Sequence, residues 1–134
     1  MTTPDLQTLT ADECVELLGR ATVGRIAINV GALPAILPVN YVVVNGAIVF
    51  RTVAGSKLAA ATSHAVVAFE VDDFEPDGSS GWSVMVQGMS SEMTDPADLE
   101  RVRRAEVESW ALDGQADRVV RVDLHVVTGR RFSR

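Results

Sequence analysis

Two cations and two hydroxyls fall within a few residues of one another, as Arg51-Thr52 and then Ser56-Lys57 after Val-Ala-Gly. The first N–H groups of a helix lack intrahelical partners and its dipole favours negative charge, so cations and hydroxyls at a helix start form an anion site. Lys57 is the only lysine, against eleven arginines. A chain that uses arginine for ordinary surface charge has its one ammonium in the turn where an anion would sit. The same residues also suit a capped surface helix with a solvated cation.

Local signals predict the elements that position this turn. Asn45-Gly46 lies between runs of β-branched and aromatic residues, which predicts a hairpin with a type I′ turn. The outgoing strand, Ile48 to Val53, carries Arg51 and Thr52. The turn Ala54-Gly-Ser-Lys57 follows, and the small residues Leu58 to Thr62 read as a short helix. Further upstream, Pro34 to Val44 reads as one long strand. Its prolines cannot donate to a ladder, which places it at a sheet edge or bulge. Pro38-Val-Asn-Tyr41 is then a candidate ligand wall, although edge protection explains the prolines equally well.

Met1 to Leu9 is a polar lead-in. Thr10-Ala-Asp-Glu13 fits a capping box opening a helix that closes at Gly19, with Cys14, Leu17 and Leu18 on one face. Val23 to Val30 alternates: Ile26, Ile28 and Val30 on one side, Arg25, Ala27 and Asn29 on the other. Ala65 to Val71 is an apolar strand, and Asp72 to Gly81 reads as an acidic, turn-rich loop. In the strand Gly81 to Met93, Trp82, Val84 and Val86 oppose Ser83, Met85 and Gln87. Asp95-Pro96 begins a helix running towards Trp110. Arg118 to Val127 is the last strand, followed by a basic tail ending at Arg134.

The chain has 134 residues, 47% apolar and 22% charged, with net charge −6. One domain over 1–134 with a real core is expected. The acidity argues against a nucleic-acid partner. Absence of a leader or a long apolar run argues against a membrane one, so the expected location is cytoplasmic. One cysteine and two histidines in no ligand spacing indicate no metal site, and no hydrolase, Walker or Rossmann motif occurs. No catalytic residue is assigned; redox or transfer chemistry would need a bound cofactor. Short strands joined by turns favour an antiparallel barrel.

The ordered pieces Gly24-Arg-Ile-Ala, Leu37-Pro-Val-Asn-Tyr41, Val49-Phe-Arg-Thr52, Gly55-Ser-Lys57, Val67-Ala-Phe-Glu-Val-Asp72, Gly81-Trp-Ser-Val-Met-Val-Gln-Gly88 and Thr128-Gly-Arg-Arg131 resemble the pyridoxamine 5′-phosphate oxidase-like superfamily. The likeness is strongest to its small actinobacterial flavin and deazaflavin proteins. It implies a six-stranded antiparallel split β-barrel with peripheral helices, mainly β, that binds FMN as a homodimer with the cofactor in a groove between subunits. It further implies that Arg51, Thr52, Ser56 and Lys57 hold the cofactor phosphate. Val39, Asn40 and Tyr41 would lie along the flavin ring, and Trp82, Ser83 and Gln87 would line the site from across the groove. The implied function is a flavin-dependent oxidoreductase acting on a small organic molecule. The alternatives are a deazaflavin-dependent reductase, with Arg130 and Arg131 broadening the groove, and a non-catalytic flavin-binding protein. True pyridoxamine phosphate oxidases carry a C-terminal Arg-x-His segment that grips the substrate phosphate. This chain ends Gly129-Arg-Arg-Phe-Ser-Arg134 without it, which argues against that named activity.

Overall fold

The computed structural model describes residues 5–105 and 118–134. Nine strands and three helices occupy them: β1 (Asp5–Thr8), α1 (Ala11–Leu18), β2 (Val23–Val30), β3 (Leu33–Asn40), β4 (Val42–Val44), β5 (Ala47–Thr52), α2 (Lys57–Ala61), β6 (Val66–Phe74), β7 (Ser80–Glu92), α3 (Pro96–Arg104), β8 (Arg118–Asp123) and β9 (Val126–Ser133). All strand pairings are antiparallel. The sheet runs β3-β2-β6-β7-β8-β5-β4, with β9 also on β7 and β1 on β9. Its first and last strands, β3 and β4, are separated in the chain by Tyr41 alone. A sheet whose two ends are joined by one residue must curl on itself, and this makes the split barrel.

Local signals are realised where expected. Asn45 and Gly46 take φ of 50° and 70°, the left-handed pair a type I′ turn requires, and Val44 faces Ala47 across it. Thr10 and Glu13 form the full capping box of α1, and Asp95 caps α3 with Pro96 in its first turn. The continuation of that helix towards Trp110 lies outside the described residues. Among the described residues strand β3 pairs only with β2, so its prolines sit at an edge of the described sheet.

Five expectations are corrected by long-range pairing. The polar lead-in contains β1, and the basic tail is β9; the two pair with each other, Thr8 facing Arg130 and Asp5 facing Ser133. Asp72, Asp73 and Phe74 are not loop but the end of β6, laddered onto Ser83, Trp82 and Gly81. The long strand from Pro34 breaks at Tyr41, whose N–H turns to the Thr22 carbonyl. The last strand breaks at Leu124-His125. Val122 faces Ser90, whereas Val126 faces Gln87, so one extra residue is accommodated as a bulge. The bulge presses the Asp123 carbonyl against Gly88, where a Cβ would lie 1.9 Å from that oxygen. It lets β9 stay on β7 while β8 swings away to pair with β5.

The barrel interior is filled by the alternating faces of these strands. Ile26 and Ile28 of β2, Phe69 and Val71 of β6, Val84 and Val86 of β7, and Ile48 and Phe50 of β5 form one cluster, capped by Cys14, Leu17 and Leu18 of α1. A smaller cluster, Val49, Met93 and Val102, holds α3 against the other side of β5. Burying each of these side chains contributes about 1.5–3 kcal/mol before the cost of ordering them.

Candidate functional site

The turn read as a candidate anion site folds as one local unit. Strand β5 ends in Arg51 and Thr52, and Gly55 takes φ of 81° with open space around its Cβ position. The Ser56 hydroxyl caps α2, accepting the Ala59 N–H at 3.0 Å. Thr52 Oγ1 lies 3.2 Å from Ser56 Oγ, so the two hydroxyls are drawn together at the mouth of the turn. Thr52 is buried, Arg51 and Ser56 are half-buried, and Lys57 is exposed. Burial of Ala59, with Leu58 and Ala61 packed on the core, fixes the helix in place.

The remaining candidates divide between faces. Val39 and Tyr41 point into the core, at 6% and 3% exposure. The Tyr41 ring packs edge-on against Phe69 at 4.8 Å and its hydroxyl donates to the Leu18 carbonyl. Burial pushes that phenol up to about 12. What this stretch offers a ligand is therefore Asn40, half-buried, together with the backbone edge of β3 that no described strand pairs. On β7, Ser83 and Gln87 face out of the barrel, whereas Trp82 packs against the core. Trp82 stands opposite Arg131 of β9, and both line an open cleft of about 290 Å³ with Leu17, Arg20, Phe74 and Phe132. Trp82 thus belongs to a different face from Ser83 and Gln87.

A charged group that sequence reading did not single out occupies the outer face. Arg25 Nη1 stands 3.5 Å from Glu70 Oε1 and 3.4 Å from Asp72 Oδ2. These residues border a second open cleft, about 280 Å³, with Ala27, Ile36 and Met85. Burial, and after it the neighbouring Asp72 carboxylate, push Glu70 up to about 7 against the loose attraction of Arg25. Alternation showed Arg25 facing out, but only the register Arg25 to Glu70 brings the three together.

The family model for pyridoxamine 5′-phosphate oxidase matches residues 10–131, and the chain belongs to that family. It is 38% identical over 129 residues to the uncharacterised protein Rv0080 of Mycobacterium tuberculosis, covering 92% of this chain and 84% of that one. Among solved structures, it superposes on an FAD-binding protein from Mycobacterium smegmatis with TM-score 0.80 and 38% identity, covering 95% and 98% of the two chains. A candidate pyridoxamine 5′-phosphate oxidase from Corynebacterium glutamicum gives TM-score 0.83 at 27% identity, covering 97% and 100%. Among the described residues, no helix is long and apolar enough to cross a membrane.

Proposed function

We propose that this protein is a flavin-binding oxidoreductase acting on a small organic molecule, with the flavin phosphate held by Arg51, Thr52, Ser56 and Lys57. The observation that carries the proposal is the turn itself. Two hydroxyls 3.2 Å apart, a left-handed glycine with open space beside it and an exposed ammonium gather at the end of one strand. They do so in a chain 38% identical to an FAD-binding protein. These groups fit a phosphate: the cations supply charge, the hydroxyls donate, and Gly55 carries no side chain to block approach.

When bound, a flavin supplies hydride transfer. The chain's own part is to hold and orient it. Backbone groups on the free edge of β3, at Val39 and Asn40, suit the polar edge of the ring, and a second subunit contributing Ser83 and Gln87 would close the groove. FMN and FAD share the ring and its first phosphate, which is the part this turn addresses. A deazaflavin coenzyme is less well served: Arg130 and Arg131, which would broaden the basic groove, are consecutive on β9 and so point to opposite sides of it.

The test is the protein purified with added FMN or FAD. A retained yellow chromophore that reduced nicotinamide bleaches, and that an added acceptor restores, is the expected result. A chromophore that reductant cannot bleach would leave a flavin carrier in place of an oxidoreductase.

A further inference from the structure

Helix α1 covers the inner face of the sheet at the row Val71, Val84 and Gly129 of β6, β7 and β9. A Cβ on Gly129 would lie 2.6 Å from Cys14 Sγ, so helix and strand touch there. The helix stops at Leu18, one row short of the end of this face. Cross-strand neighbours share a face and alternate residues return to it, so the next row is Asp73, Trp82 and Arg131. That row is left open, as the cleft of about 290 Å³ beside Leu17 and Arg20. Trp82 packs against the core and is only half-buried, so part of it remains open to the cleft.

A carboxylate therefore stands on one side of the Trp82 ring and a guanidinium on the other. Asp73 and Arg131 are both exposed, and neither makes an ion pair among the described residues. Two strand spacings hold their backbones about 10 Å apart, with the indole between them. Glu13, which feels the Arg131 charge, already accepts from the Thr10 N–H. Arg20 is paired with Glu16 at 2.5 Å. Glu75 also lines the cleft, so a simple anion would meet two carboxylates there and a simple cation two guanidiniums. Only a molecule carrying both charges, one at each end of a flat body, answers the whole row. We infer that this cleft binds a small single-ring zwitterion, its ring on Trp82, its ammonium at Asp73 and its carboxylate at Arg131. Stacking on the indole and a charge-assisted hydrogen bond at each end supply the attraction. The volume lies just under the ~300–1,000 Å³ of ligand pockets, which suits one ring and not a dinucleotide.

This site is separate from the Arg51 to Lys57 turn and does not rest on the flavin. The test is a nuclear magnetic resonance titration of isotope-labelled, flavin-free protein with 4-(aminomethyl)benzoate, a flat zwitterion at neutral pH. The signal followed is the indole N–H peak that Trp82→Phe removes. It is expected to shift and saturate with a Kd on the order of 1 mM or below, as suits a small ligand in an open cleft. Benzoate and benzylamine, each carrying one of the two charges, are expected to bind at least about fivefold more weakly. Asp73→Asn should weaken the zwitterion by about fivefold and leave benzoate no weaker, whereas Arg131→Gln should weaken both. No saturation by about 10 mM would overturn the inference. So would benzoate or benzylamine binding as tightly as the zwitterion, or Asp73→Asn and Arg131→Gln binding it like wild type. The titration is repeated with FMN present. FMN that shifts the same indole and excludes the probe would assign Trp82 to the flavin groove and overturn a separate site. A wild type that binds the zwitterion and no flavin would overturn only the cofactor reading.

Discussion

The Tyr41 hydroxyl donates to the last carbonyl of α1, that of Leu18, and ties the barrel's closing residue to the helix that caps its core. Removing it in Tyr41→Phe leaves a buried carbonyl without its donor and should cost about 1–3 kcal/mol in urea unfolding at pH 7. Because burial pushes the phenol from 10 up to about 12, the folded chain keeps a proton that the unfolded chain releases. Stability should therefore fall as pH rises from about 10 towards 12, by up to roughly 1.4 kcal/mol per unit. Tyr41→Phe should lack this loss, and a variant with the same alkaline melting curve as wild type would contradict the assignment. Glu70 carries the same sign at lower pH. Its carboxyl is pushed from 4.5 up to about 7, so the folded state holds a proton between those values that the unfolded state has lost. Glu70→Gln should remove a fall in melting temperature between pH 5 and 7, as scanning calorimetry across that window would show. The Arg51 to Lys57 turn was legible as a local unit, because residue types and spacing alone marked the strand end, the glycine and the helix cap. The Arg25, Glu70 and Asp72 group was not, because it spans β2 and β6 and depends on their register.

At the scale of elements, whatever is decided within a few residues was readable. The Asn45-Gly46 hairpin, the Thr10 capping box and the Asp95-Pro96 start all rest on contacts two to four residues apart. The inward and outward faces of β7 followed from alternation, although the separation of Trp82 from Ser83 and Gln87 bears on the site only once the fold is known. What escaped was pairing between distant segments. Asp72-Asp73-Phe74 is polar and close to turn residues, yet it stays extended because β7 supplies its ladder. The tail becomes β9 because β7 and β1 hold it on both edges. The bulge between β8 and β9 gives a prediction at this scale. Gly88→Ala places a methyl group 1.9 Å from the Asp123 carbonyl oxygen, where backbone and not a flexible side chain must move. It should lower stability by about 1–3 kcal/mol in urea, whereas Gly46→Ala, with no atom near its Cβ position, should show only the strain of its left-handed backbone, about 1 kcal/mol. Equal losses at the two sites would argue against the close approach of β8.

The whole molecule is a curled sheet whose interior is filled by packed side chains, so the flavin proposed for it would have to lie on a rim or outer surface. One rim carries the Arg51 to Lys57 turn. The most direct test of the functional account is a titration of FMN, and separately FAD, into wild type and Lys57→Ala, with thermal melts of the ligand-free proteins. Each charge-assisted hydrogen bond to a phosphate contributes ~1.5–3 kcal/mol. Loss of the Lys57 ammonium is therefore expected to weaken flavin binding by roughly ten- to a hundredfold. The ligand-free melting temperature should stay within about 2 °C, because an exposed cation at a helix start adds little to folding. Undiminished flavin affinity in Lys57→Ala, with wild type binding tightly, would contradict the account by placing the phosphate elsewhere on the fold.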